Sequence, residues 1–95
     1  MKESKLQAEI IRFLKRKGCY VIKTTPGPGV PVGCPDIIAL FEGCWIAIEV
    51  KANAKSAFRP LQKETIAKLS EWSWCKAVTL DNWEDTKKQL EQFIG

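Results

Sequence analysis

Three side chains in this sequence could act together on one substrate: Asp36, Glu49 and Lys51. Asp36 opens the apolar run Asp36 to Phe41 (DIIALF), and Glu49 lies near the end of the next run, Cys44 to Val50 (CWIAIEV), with Lys51 just beyond it. Only Glu42-Gly43 separates the two runs, which reads as a β-hairpin with a two-residue turn. Phe41 then pairs with Cys44, and counting outward sets Asp36 opposite Glu49 on one face. Opposed positions have Cβ atoms roughly 4.5 to 5.5 Å apart, and like charges there destabilise a sheet. Two carboxylates so placed call for a cation. Mg²⁺ and Mn²⁺ take oxygen ligands from one or two carboxylates and complete their shell with water and substrate phosphate. A backbone carbonyl beside Glu49, such as that of Val50, can add a ligand. Lys51 shares the face of Glu49, where an ammonium can orient a water or offset charge developing on phosphorus. The combination suits hydrolysis of a phosphodiester.

A plainer account makes Asp36 a loop end, with Glu49 and Lys51 as solvated residues of an exposed sheet face. A three-residue turn would also shift the register by one and remove the opposition. The charge balance bears on the choice. Lysine and arginine outnumber acids by 15 to 11, for a net charge of +4, a mild bias toward a polyanionic partner. Placement says more than the sum. Lys51, Lys55, Arg59 and Lys63 follow the candidate active strand, while Arg12, Lys15, Arg16 and Lys17 crowd a helix end whose dipole also favours cations. Phosphate contacts are expected from Lys55, Arg59, Lys63 and Arg12, and they would make binding salt-dependent. The four cysteines form no C-x-x-C pair and there is no histidine, which argues against structural zinc. They are expected to be free, as small hydrophobes. Neither a signal peptide nor a membrane span is evident, so the expected location is the cytoplasm, of a bacterial or phage-infected cell.

These residues need a scaffold, and 95 residues allow one domain with one core, spanning 1–95. Leu6, Ile10, Phe13 and Leu14, with Ile11 alongside, fall at helical spacing between Ser4 and Lys17, and Gly18 stops that helix. Cys19 to Lys23 is β-branched and aromatic, hence a strand. Thr24 to Pro35 (TTPGPGVPVGCP) is a long loop of the kind that carries function. Apolar residues on both faces of the Asp36 run place the hairpin in the middle of a sheet. Pro60 starts a helix to about Trp72, with Leu61, Thr65, Leu69 and Trp72 on one face. Trp74 to Leu80 is a further strand. Asp81 and Glu84 resemble a capping box opening a last helix through Leu90, Phe93 and Ile94. The order is α-β-β-β-α-β-α, an α/β fold with a mixed central sheet flanked by helices. Most of Trp45, Trp72, Trp74 and Trp83 are expected in the core, with base stacking or a dimer interface as their other uses.

Taken together, Gly33-Cys34-Pro35-Asp36, Ile48-Glu49-Val50-Lys51 and the downstream Gln62 resemble the PD-(D/E)XK nuclease superfamily. Within it the chain looks most like the VRR-NUC family, the virus-type replication and repair nucleases, over nearly its whole length. The resemblance implies a restriction-endonuclease-like core. It implies that Asp36 and Glu49 bind the metal with the Val50 carbonyl, that Lys51 is the catalytic lysine, and that Gln62 acts near Lys51 or the phosphate. Glu9 matches a first-helix acid that can help bind metal. Standalone members are similar to Holliday-junction resolvases, which act on branched DNA as homodimers with one active site per strand. Other nucleases share the core, so flaps, single strands or a non-catalytic DNA-binding role remain open at this point.

Overall fold

The computed structural model describes residues 3–52 and 60–95. Its elements follow the expected order: α1 (Glu3–Arg16), β1 (Tyr20–Lys23), β2 (Ile37–Phe41), β3 (Cys44–Val50), α2 (Pro60–Leu69), β4 (Trp74–Val78) and α3 (Trp83–Ile94). The strands form one mixed sheet in the order β1-β2-β3-β4. β1, β2 and β3 are successively antiparallel, and β4 runs parallel to β3. A parallel neighbour requires a long crossover, and α2 lies within it. The apolar hairpin is therefore central, flanked by β1 and β4.

Register follows from the turn. Glu42 and Gly43 have φ of 45° and 82°, the left-handed pair of a type I′ turn, whose twist matches that of the strands it joins. Phe41 pairs with Cys44, and the ladder runs outward to Ile37 and Ile48. A three-residue turn is thereby excluded.

The sheet has two unlike faces. Ile37, Ala39, Ile46, Ile48, Val50 and Val78 point inward and are buried against Leu6, Ile10, Phe13 and Leu14 of α1 and Trp83 and Leu90 of α3. The α1 residues form one stripe because they recur at the helical period. Phe13 and Trp83 meet edge to face with centroids 5.5 Å apart, a favoured aromatic geometry. On the outer face, cross-strand pairing builds two rows: Tyr20, Leu40 and Trp45, then Ile22, Ile38 and Ala47. A groove between that face and α2 is lined by Ile38, Trp45, Ala47, Thr65, Leu69 and Trp72.

Several sequence expectations are corrected. α2 ends at Leu69, before Trp72; Leu61 and Trp72 are exposed, and among the described side chains of this helix the buried one is Gln62. The helix faces the acidic end of the sheet, so a polar residue turns inward there. β4 stops at Val78, leaving Leu80 exposed. The last helix is preceded by Asn82, with no side-chain cap, in place of an Asp81 capping box. Asn82 instead ties helix to strand: its Oδ1 accepts from the Thr79 N–H at 3.0 Å and its Nδ2 donates to the Ala77 carbonyl at 3.2 Å. Of the four tryptophans, Trp83 alone is buried, and Trp45 and Trp72 are exposed. All four cysteines are free; Cys19 is buried and Cys44 exposed. Among the described residues, no helix is long and apolar enough to cross a membrane.

Candidate active site

Asp36 stands one residue before β2, where the long loop returns to the sheet. Thr24 fixes both ends of that loop. Its N–H donates to the Asp36 carbonyl at 2.9 Å, and its hydroxyl donates to the Pro35 carbonyl at 2.6 Å. With the backbone held, the Asp36 carboxylate reaches across to β3, where Oδ2 accepts the Val50 N–H at 2.8 Å. One step beyond the Ile37–Ile48 pair, Asp36 comes opposite Glu49, as the hairpin count requires.

Glu49 projects from the outer face yet is only 3% exposed. α2 covers it with Gln62, itself buried. Gln62 Nε2 donates to Glu49 Oε2 at 2.8 Å, and Gln62 Oε1 accepts from Lys51 Nζ at 3.1 Å. The ammonium lies 3.6 Å from the same carboxylate oxygen. One amide thus spans the acid and the base, each end matched to its donor or acceptor chemistry. Gly33 makes this closeness possible. A Cβ there would lie 2.9 Å from the Leu61 carbonyl oxygen, and the residue has φ +87°, so any side chain would both strain the backbone and push the loop off α2.

The electrostatics are those of a charge held for a partner. Burial, followed by the repulsion of Asp36, pushes the Glu49 carboxyl up to about 7, against the pull of the Lys51 ammonium. Glu49 Oε1 is buried and has no hydrogen-bond partner among the described residues, an arrangement that costs free energy when left unmet. An orphaned carboxylate oxygen close to a second carboxylate suits a hard divalent cation, which takes oxygen ligands. Cys34 lies close by: burial first, and then the nearby Glu49 and Asp36 charges, raise its thiol pKa, which keeps the thiol protonated.

The structure brings Asp36, Glu49, Lys51, Gln62 and the Val50 backbone together. Glu9 is half-buried on α1, the helix that packs on the inner face of the sheet, whereas Glu49 projects from the outer one. Among the described residues, no group of three acidic, histidine or cysteine side chains is placed to hold a metal, so Glu9 does not complete such a set. Arg12 and Lys63 are exposed. Lys55 and Arg59 lie outside the described residues. Sequence reasoning missed Thr24, whose only signal is a hydroxyl at the start of the loop, and the packing role of Gly33 within its motif.

Comparison with known proteins places the chain in a family. The family model for the archaeal Holliday junction resolvase (Hjc) matches residues 2–83. Among solved structures, the 1.6 Å structure of Hjc from the archaeal hyperthermophile Archaeoglobus fulgidus, a Holliday junction resolvase, shares the fold with a TM-score of 0.55 and 19% identity. The match covers 80% of this chain and 64% of that one. No curated protein matches the chain. The family found is the archaeal one; both it and the virus-type family expected from the sequence fall within PD-(D/E)XK-type nucleases. Since the family model spans most of its length, the chain belongs to the archaeal Holliday junction resolvase family.

Proposed function

We propose that this chain is a divalent-metal-dependent, structure-selective endonuclease that resolves four-way DNA junctions as a homodimer. The observation that carries the chemistry is the buried, unpartnered Glu49 Oε1 within the Asp36–Glu49–Gln62–Lys51 group. Family membership supports the substrate.

On this reading, Asp36, Glu49 and the Val50 carbonyl hold Mg²⁺ or Mn²⁺. The bound cation supplies an activated water and neutralises phosphate charge. Gln62 fixes the Glu49 carboxylate and the Lys51 ammonium relative to each other. Lys51 then presents a positive charge where a phosphate oxygen gains negative charge. For a metal role of Glu9 the support is the resemblance alone. Lys55, Arg59, Lys63 and Arg12 contact phosphates along the arms, and residues 1–95 act as one domain. A finer kinship with the virus-type nucleases rests on the spacing of G-x-P-D, E-x-K and glutamine.

Dimerisation is supported by the outer sheet face. Tyr20 is 71% and Trp45 53% exposed, and Ile22 is exposed beside them. Large contiguous apolar patches on small soluble domains mark contact surfaces. A second copy suits this one because resolution requires an incision in each of two strands, and a symmetric pair provides two sites.

The test is cleavage of labelled four-way junction, flap, duplex and single-stranded DNA with Mg²⁺ or Mn²⁺, comparing the native chain with Lys51→Ala. Preferential junction cutting, at least about 100-fold slower in the variant, is expected. Preference for flaps or single strands would replace the substrate. Absence of cutting by folded protein would leave a DNA-binding module.

A further inference from the structure

A cavity of about 580 Å³ opens beside the acidic pair. Asp36 and Gln62 stand in its wall, most of the remainder comes from the long loop, including Pro26, Val30, Val32 and Cys34, and Leu61 of α2 closes it. Among the described residues the lining holds no lysine or arginine, and most of it is apolar. This is the size range of pockets that take small ligands, and its mostly apolar walls suit a weakly hydrated group better than a phosphate, whose burial against them is costly.

The pocket is held in shape from two sides. Thr24, at its edge, is pinned to Pro35 and Asp36. The loop turns on itself through Val30 N–H to Gly27 carbonyl at 3.1 Å and Cys34 N–H to Pro31 carbonyl at 3.2 Å. Gly33 seats the loop on the Leu61 carbonyl. The same packing that sets Gln62 over Glu49 therefore forms the cavity.

We propose that this cavity receives the nucleobase next to the scissile phosphate, unstacked from its neighbours. The inference rests on the nuclease assignment above. A phosphate held at Asp36, Glu49 and Lys51 places its own flanking nucleotide beside the cavity, because Asp36 and the Gln62 that bonds to Glu49 and Lys51 also wall the pocket. A base offers a flat, weakly hydrated face that apolar side chains accept, whereas the strand's phosphates stay with the lysines outside. Extrusion is cheapest for a base whose pairing or stacking is already interrupted, as at the branch point of a junction. The pocket would thus select branched over continuous duplex by the lower cost of releasing a base, with no base-specific contact.

The experiment places 2-aminopurine at each position near the branch point of a four-way junction and binds it to Lys51→Ala protein, so that the strand stays intact. A several-fold fluorescence rise at one position is expected, and mapping the native cut should put that position next to the cleaved bond. Val32 and Leu61 are 77% and 49% exposed, so Val32→Asp and Leu61→Asp leave the core untouched. Each, added to Lys51→Ala, should abolish the rise with less than about threefold change in junction affinity. In the native background each should lower kcat on junctions about tenfold. No rise at any position, or a rise indifferent to both substitutions, overturns the pocket. The fluorescence readout needs binding alone, so it decides the pocket even if the native chain fails to cut, an outcome that would instead sink the nuclease assignment.

Discussion

Gln62 Nε2 donates to Glu49 Oε2 at 2.8 Å, and both side chains are buried. The bond matters because the other end of the amide accepts from Lys51. Helix α2 thereby sets the spacing of an acid and a base that both come from β3 and its extension. Hydrogen bonds to charged groups contribute about 1.5 to 3 kcal/mol, enough to hold one arrangement among several rotamers.

Gln62→Ala should therefore lower kcat by about 10- to 100-fold while junction affinity changes little. A positioning role predicts that Gln62→Glu does not rescue, since a third carboxylate beside Asp36 and Glu49 adds repulsion and cannot donate when ionised. Single-turnover cleavage and gel-shift affinity separate the two effects. Equal losses of binding and cutting would show that Gln62 contacts DNA directly.

The raised Glu49 carboxyl makes a prediction about stability. In the metal-free protein its folded pKa, about 7, lies above that of the unfolded chain. The stabilisation linked to the protonated form is then fully present below the unfolded pKa of about 4.5 and is lost as pH rises through about 7. At about 1.4 kcal/mol per pH unit, ionising Glu49 costs on the order of 3 kcal/mol at pH 8. Metal-free native protein should melt higher at pH 5.5 than at pH 8, by roughly 10 °C for a domain of this size. Glu49→Gln should abolish most of that difference. Mg²⁺ or Mn²⁺ should raise the native melting temperature more at pH 8 than at pH 5.5, because the cation binds the ionised form. A cation response in Glu49→Gln equal to the native one would remove Glu49 from the ligand set.

Much of this site was legible because β-structure counts in twos. The type I′ turn at Glu42-Gly43 left one register, and the register placed Asp36 against Glu49 without knowledge of the rest of the fold. The hydrophobic periodicity of α1 was equally direct, since its stripe matches the residues that are buried. α2 was misread because its inward face covers a polar site. Its buried member is a glutamine, so a search for an apolar stripe picked Leu61 and Trp72, which are exposed. The capping position failed for a similar reason: Asn82 spends its side chain on Thr79 and Ala77, a tertiary use that local spacing cannot reveal.

The exposed Trp45 and Trp72, two of four tryptophans of which most were expected in the core, lead to the last prediction. Tyr20, Leu40 and Trp45 form a row across three strands, and Trp72 is 66% exposed at the nearby groove. If this face joins two copies, charges placed at its centre will separate them, because burying an unpaired carboxylate costs far more than a surface charge gains. Trp45→Glu and Tyr20→Glu should each shift native dimer to monomer at tens of micromolar by sedimentation, with far-ultraviolet circular dichroism unchanged since neither side chain enters the core. On a junction the monomers should still nick one strand but lose paired incision, so nicked intermediates accumulate. On this account, Trp72→Ala weakens the dimer less than Trp45→Glu, as it removes area without adding charge. Native protein that sediments as a monomer at such concentrations would sink the interface. Dimers that survive both glutamate substitutions would move the contact to another face, leaving the catalytic assignment of Asp36, Glu49 and Lys51 as it stands.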